Sequence, residues 1–251
     1  MQKPINKKLF ITGAGVSASS GIPTFRGNDG FWTIGSINYT PQEMATRQMY
    51  ENDPFQFLLW YYKRFAKYKD AKPNFVHKWL SDKKLITQNI DGLDFKAGNL
   101  DYIPIHGRID KLIKYDNEFT SQAPIDANWE NIDNTLKDDE LSLALIKKFK
   151  IPLINGKPKP QLGYSLKPYV LLFDEMYTEI YRFSEAEKWI ETANCIVFMG
   201  TSFSVNITSI ALRIALLKNT SIEIVDPNPI KLDYQNVKYF SMSAEEYCKN
   251  N

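Results

Sequence analysis

Cysteine and histidine are the scarcest chemical resources of this chain: its 251 residues contain two of each, Cys195 and Cys248, His77 and His106. Two distant cysteines exclude a disulfide framework and suit a reducing compartment. Structural zinc takes about four Cys or His ligands in close pairs. Here neither type is paired, so no metal site is expected. No apolar run approaches a membrane span, and the first residues, MQKPINKKLF, lack the apolar stretch of a secretion signal. Charge of one sign is missing as well. The formal net charge is +2 with 24% charged residues, which argues for neither nucleic acid nor a membrane surface as partner. No internal repeat or low-complexity tract occurs. The plain reading is a soluble, cytoplasmic protein.

What is present is apolar and aromatic material, 43% and 14% of the residues, ample for one sizeable core. The segment KKLFI (residues 7–11) reads as a strand and runs into GAGVSASSGIPTFRG (residues 13–27). Gly13, Gly15 and Ala18 fit the looser G-x-G-x-x-G/A fingerprint, which brings backbone N–H groups at a helix N-terminus close to a pyrophosphate. Alone, that spacing fits an ordinary Gly-rich turn equally well. Three more strand-like runs end at polar residues: KKLITQNIDGL at Gln88, Asn89 and Asp91, NCIVFMGTSFSV at Gly200, Thr201 and Ser202, and SIEIVDPNP at Asp226. Helix-like stretches cover residues 54–68, 184–193 (with Ser184 as N-cap) and 207–218. Strands alternating with helices predict a doubly wound, mostly parallel, Rossmann-like α/β sheet, whose ligands bind beyond the strands' carboxyl ends. The dinucleotide-binding domain is expected over residues 1–107 and 168–251. A small lobe is inserted over 108–167, where the chain is polar and Pro- and Gly-punctuated around one helix-like piece, residues 138–150.

His77, among apolar neighbours in KPNFVHKWL, reads as a structural histidine. His106, at the end of the β-like run YIPIHG, is the better general base, and a neutral imidazole with a pKa near 7 would suit that role. Asn89 and Asp91 could orient a ribose and a water, or close a strand with an Asx turn. Tyr61 and Arg64 stand three apart and share a helix face; on spacing alone this is an amphipathic helix with Tyr61 half buried and Arg64 in solvent.

GAGVSASSGIPTFRG, KPNFVH, TQNIDGL, the isolated His106-Gly107 pair, LKPYVLLFDEMY and NCIVFMGTSFSV occur in the order seen in sirtuins, the NAD-dependent protein lysine deacylases, and the chain resembles that family over residues 9–226. The resemblance implies that Gly13, Ala14, Gly15 and Ser17 hold the NAD diphosphate and that a loop with Phe25 and Arg26 covers the nicotinamide ribose. It implies that Gln88, Asn89 and Asp91 line the ribose and nicotinamide pocket. Gly200, Thr201, Ser202 and Asp226 then lie near the phosphates and adenosine. The implied reaction has the acyl-lysine oxygen attack the ribose C1′, while His106 deprotonates a ribose hydroxyl with Asn89 and Asp91 at its side. The products are free lysine, nicotinamide and O-acyl-ADP-ribose. Val170, Leu171, Leu172 and Phe173 match the strand edge on which acyl-lysine peptides bind. The element Asp53-Pro54 followed by Tyr61 and Arg64 is similar to the branch that prefers succinyl and malonyl groups, where Arg and Tyr would receive the acyl carboxylate.

Departures from the family pattern carry expectations of their own. The usual two Cys-x-x-Cys pairs are replaced by Lys114/Asn117 and Lys159/Leu162, so the lobe is expected to hold no zinc and to rely on Leu141, Leu143, Leu145, Ile146 and Phe149. Asp174 stands for a usual Gly, and Asp94 for a usual His. A sirtuin-fold ADP-ribosyltransferase or NAD glycohydrolase, and a non-catalytic NAD or ADP-ribose sensor, are the alternatives.

Overall fold

The computed structural model describes residues 8–24, 40–117, 123–133, 135–232 and 234–251. In chain order its strands are β1 (Lys8–Thr12), β2 (Leu85–Thr87), β3 (Ile103–Pro104), β4 (Gly107–Lys114), β5 (Ile125–Asp126), β6 (Leu153–Ile154), β7 (Lys157–Pro158), β8 (Leu166–Val170), β9 (Cys195–Met199), β10 (Ser221–Val225) and β11 (Val237–Phe240). The chain forms two compact units, one of Met1–Thr24, Ala71–His106 and Arg182–Asn251, the other of Phe25–Asp70 and Gly107–Tyr181.

The first unit is built on a six-stranded sheet in the order β11-β10-β9-β1-β2-β3, and every pairing in it is parallel. Strands buried on both faces read as continuous apolar runs rather than alternations, which explains LFI in β1 and CIVFM in β9. The chain winds outward from β1 through β2 to β3, then returns to β9 on the other side of β1 and winds outward again to β11. The reversal beside β1 is the switch point where such sheets open a crevice for ligands. The doubly wound reading is thus borne out. Helices Phe75–Trp79, Phe183–Thr192, Asn206–Leu217 and Ala244–Lys249 belong to this unit. Ser184 is not the N-cap expected of it. The second of these helices begins a residue earlier, after Arg182 in the left-handed region. Both cysteines are free and sit in one core cluster with Phe10, Leu80, Val197 and Met199.

The second unit centres on an antiparallel sheet, β5-β4-β8, beside the β6–β7 hairpin. Helix Pro54–Tyr68 packs on helix Asp138–Lys148. Trp129 joins them: its ring lies 5.6 Å from Phe65 and 5.4 Å from Phe149, and its Nε1–H donates to Ile109 O at 2.7 Å. These contacts explain the main departure from the expected boundaries. The lobe is not residues 108–167 alone, because the helical segment before residue 70 belongs to the same unit. The second helix stops at Lys148, with Phe149 as its cap and Lys150 at φ 52°. Leu141, Leu145, Ile146 and Phe149 are buried as expected, whereas Leu143 is exposed.

At the positions where cysteine pairs were missed, the backbone is tied by hydrogen bonds. Gly163 N–H donates to Tyr115 O and Tyr115 N–H to Ser165 O, both at 2.8 Å. The Arg47 guanidinium stacks 4.5 Å over the Tyr115 ring and donates to Asn117 Oδ1. Among the described residues no group of three or more His, Cys, Asp or Glu side chains is placed to hold a metal ion, and no helix is long and apolar enough to cross a membrane.

Candidate functional site

The first unit gathers its polar residues at the carboxyl ends of β1, β2, β3 and β9. Beyond β1, Gly13 N–H donates to Met199 O at 3.1 Å and Gly15 N–H to Gly200 O at 2.9 Å, so two loops meet backbone to backbone. A Cβ on Gly13 would lie 2.8 Å from Gly200 O, and one on Gly15 2.7 Å from Gly200 Cα. Side-chain-free backbone is what this contact requires. Ala14 opens a 3-10 helix, Ala14–Ser20, that Gly21 closes at φ 78°. The expected strand, turn and helix start are therefore present, with the helix of the tighter kind.

Ser17, buried on that helix, donates from Oγ to Asp91 Oδ2 at 2.7 Å and accepts from Asn89 Nδ2 at 3.1 Å. Asp91 uses its other oxygen to accept from Leu93 N–H at 2.8 Å, closing the loop after β2. Asn89 also donates to Gly13 O at 3.1 Å, and its backbone N–H reaches Thr87 Oγ1 at 3.2 Å. Its Oδ1 is buried and has no hydrogen-bond partner. A buried acceptor left open costs free energy unless a donor arrives. Gln88 contacts Thr201 Oγ1 at 3.2 Å through its side chain. His77, fully buried, faces Ser17 Oγ at 3.4 Å through Nε2 and Asn74 Oδ1 at 2.9 Å through Nδ1, so the structural histidine also touches this network.

His106 follows β3. Its Nδ1–H donates to Gln88 O at 3.0 Å, which places the lone pair on Nε2. Burial pushes its pKa down to about 4, against the value near 7 expected from sequence; the imidazole is neutral throughout the physiological range. Ser202 is exposed and pairs with Ser204 Oγ at 2.8 Å. Asp226 closes an Asx turn, accepting from Asn228 N–H at 2.9 Å. No hydrogen bond among the described residues ties either one to the network around Asn89. Phe25 and Arg26 lie outside the described residues. Sequence reasoning missed the hydroxyl ladder beneath the site, Thr12 Oγ1 to Thr87 Oγ1 at 2.9 Å; its only signal was a Thr ending each of two adjacent strands.

In the second unit Tyr61 and Arg64 lie on helix Pro54–Tyr68, and both are buried, not half buried and solvated as their spacing alone suggested. The Arg64 guanidinium stacks 3.4 Å over the Trp60 ring and donates to Trp60 O at 3.2 Å. Burial lowers its pKa to about 10, which keeps it charged at neutral pH. Desolvation raises the Tyr61 phenol, so it stays a neutral donor. The strand expected over residues 170–173 lies earlier, at β8, and ends at Val170. Beyond it Leu172 N–H donates to Glu175 Oε2 at 3.1 Å and Phe173 N–H to Ala45 O at 3.0 Å, which turns the backbone away from strand pairing. Leu171 and Leu172 follow it inward, and Phe173 is exposed. Asp174 accepts from Arg47 N–H at 2.6 Å and Gln48 N–H at 3.0 Å, capping helix Arg47–Asn52.

A glycine cradle at the switch point of a parallel sheet, with an open buried acceptor and a histidine beyond the neighbouring strand ends, defines an α/β protein of the dinucleotide-binding class. The comparisons narrow that class: residues 13–207 match the Sir2 family, and the chain belongs to it. It is 29% identical to NAD-dependent protein deacylase 1 of Caldanaerobacter subterraneus over 97% of this chain and 91% of that protein. With the NAD-dependent protein deacylase of Thermus thermophilus it shares 30% identity over 88% and 80% of the two chains. Among solved structures, a Sir2 homologue in complex with NAD superposes with a TM-score of 0.71 at 28% identity, covering 97% of this chain and 86% of the other.

Proposed function

We propose that the protein is an NAD-dependent protein lysine deacylase whose base is His106. The observation that carries this reading is the shared backbone of two groups: Gln88 O holds His106 Nδ1, and the next residue, Asn89, presents a buried, unbonded Oδ1. The residues present fit NAD. Gly13 and Gly15 leave the loop free of the Cβ atoms that would crowd it, and Asn89 Oδ1 is the acceptor a ribose hydroxyl would complete. When bound, NAD supplies an electrophilic ribose carbon and nicotinamide as leaving group. The protein's own groups do the rest. Asn89 and Asp91, fixed by Ser17 and Leu93, orient the ribose; His106 takes the proton of a ribose hydroxyl at Nε2. Its low pKa makes it a permanently available but weak base, which a bound hydroxyl held in place would offset through proximity.

The substrate is an acyl-lysine protein or peptide, with neither nucleic acid nor a membrane involved, in a reducing, cytoplasmic setting that two free cysteines suit. Two finer features belong to the proposal. The first is a preference for succinyl- or malonyl-lysine, supported by the buried pair Tyr61 and Arg64, a neutral donor and a charged guanidinium three residues apart. Asp174 does not oppose it as its charge alone would suggest, because both its oxygens are occupied by backbone N–H groups. The second is a second unit that needs no zinc, supported by the hydrogen bonds around Tyr115 in place of thiolates. The peptide would pair with the outer edge of β8, which lies at the end of its sheet.

The experiment is to incubate the protein with NAD and acetyl-, malonyl- and succinyl-lysine peptides and to follow nicotinamide and peptide mass together. Deacylated peptide in step with nicotinamide is expected, fastest with the acidic acyl groups. Nicotinamide without deacylated peptide would replace this reading with an NAD glycohydrolase, and ADP-ribose mass on protein with a transferase.

A further inference from the structure

The buried charges of the second unit are closed on the unit itself, as in the pairs Lys167–Glu175 and Arg108–Asp110. One stretch of its surface is different. Residues 141–173 hold six lysines, no arginine and no acidic residue. Helix Asp138–Lys148 separates the signs, with Asp138, Asp139 and Glu140 in its first turn and Lys147 and Lys148 in its last. Lys147, Lys150, Lys157 and Lys159 are exposed, and none of them forms an ion pair among the described residues. Lys63 and Lys111 of the same unit, by contrast, pair with Asp138 and Asp126.

The β6–β7 hairpin stands in the middle of this stretch. Ser165 Oγ donates to Lys150 O at 3.0 Å and Leu166 N–H to Phe149 O at 2.8 Å, so the segment closes at its base. Asn155 and Gly156 make the turn, both at positive φ, as a two-residue hairpin loop requires. Ile154 stands opposite Lys157, with Lys159 two residues on, so these three share a face; Leu153 and Pro158 share the other. Both faces are open. Leu153 is 52% and Ile154 41% exposed, and Leu162 and Tyr164 just beyond are 52% and 58% exposed. A hairpin this short cannot hold itself by burial. Pro152, Pro158 and Pro160 stiffen it instead, and they take backbone donors away from its edges. A partner strand has little to pair with there, so recognition falls to the side chains.

We infer that this hairpin and the lysines around it form a docking surface for an acidic protein segment that also carries apolar side chains. Charge chooses the occupant. A second copy of the chain would set lysine against lysine. A bilayer takes up a contiguous apolar face, whereas Leu153 and Ile154 lie on opposite faces behind a polar Asn155-Gly156 tip. Nucleic acid is gripped by arginine forks and stacked rings; residues 150–165 contain no arginine and one aromatic, Tyr164. Carboxylates interspersed with apolar groups match Lys157, Lys159 and Ile154 on one face, and the stiffened backbone keeps the ordering cost low. Such docking needs neither NAD nor the acyl-lysine site, and so goes beyond the deacylase reading.

The test selects a displayed library of random peptides on the full-length protein, then measures the selected peptides as free synthetic probes by fluorescence anisotropy. Sequences mixing Asp or Glu with Leu, Ile or Phe should be enriched, and their binding should weaken as salt rises. Lys157→Glu combined with Lys159→Glu should cost at least about tenfold in affinity, and Ile154→Ser about three- to tenfold. Thermal melts check folding; if the charge-reversed protein unfolds, Lys157→Gln with Lys159→Gln carries the test and should still lose several-fold. No acidic enrichment, or selected peptides that bind the folded variants as tightly as the wild type, would overturn the proposal. So would polyglutamate binding as tightly as the selected peptides, since charge alone would then suffice. Tighter binding of a single-stranded oligonucleotide or of phosphatidylserine vesicles would hand the surface to that partner instead. Failure of the deacylase reading would appear separately, as a wild type that releases no nicotinamide from NAD while still binding the peptides.

Discussion

The two units treat their polar groups in opposite ways. At the strand ends of the first, Asn89 gives its nitrogen to Gly13 O and Ser17 and keeps Oδ1 unbonded, although Glu223 elsewhere in that unit is closed by Lys8. In the second, conspicuous charges are closed on the unit itself. Asp174 caps a helix, Lys167 pairs with Glu175 in the interior, and Arg47 ties Glu51, Asp116 and Asn117 together. An open acceptor in a buried place is a cost that an arriving donor relieves, whereas closed networks stabilise the fold without one. The contrast predicts that polar substitutions lower activity in the first unit and stability in the second.

The largest effect should come from His106→Ala, which removes the proposed base. Single-turnover deacylation should fall by about two to four orders of magnitude with ADP-ribose affinity preserved; an unaltered rate would move the base elsewhere. Next is Arg64→Met, the one polar change in the second unit expected to act on substrate choice. The ratio of kcat/KM for succinyl- over acetyl-lysine should drop about ten- to a hundredfold, the worth of charge-assisted bonds to a carboxylate. A ratio that stays put would return Arg64 to a purely structural role on Trp60. Gly15→Ala forces a Cβ to within 2.7 Å of Gly200 Cα and should cost about 1–3 kcal/mol in denaturant melts, with weaker NAD binding. Asp174→Ala should cost about 1 kcal/mol through the lost helix cap while kcat hardly moves. At the small end, dialysis against a strong chelator should leave melting temperature and activity unchanged, and elemental analysis should find no stoichiometric zinc; one zinc per chain, with unfolding on its removal, would break the comparison in the second unit outright.

Legibility followed the same division. The parallel sheet was readable because strands buried on both faces are uninterrupted apolar runs, and Gly13, Asn89 and Asp91 were readable because they follow such runs at once. Helix Pro54–Tyr68 was bounded correctly by Asp53, whose side chain caps Gln56 N–H at 3.1 Å. What failed was long-range. Nothing local assigns the segment before residue 70 to the same unit as residues 107–181, since Trp129 makes that link to Phe65 from 64 residues away. Spacing put Arg64 in solvent, yet the face of Trp60 draws its guanidinium inward. Asp174, which stands for a usual Gly, is a helix cap that no local pattern announces, because its partners, Arg47 N–H and Gln48 N–H, are distant in sequence. The pKa of His106 depends on burial, which no motif records.

The two thiols have a practical consequence. Cys195 and Cys248 lie in the same apolar core, and burial pushes their pKa values to about 11 and about 12. Thiolate is therefore scarce at neutral pH, and alkylating reagents or peroxide have almost nothing to attack while the protein stays folded. For spectroscopy this is a chemically silent background: a cysteine introduced at any exposed position becomes a single addressable site without first removing the native pair. A fluorophore or spin label on exposed Phe173 or Ser202 could then report on peptide or NAD arrival directly.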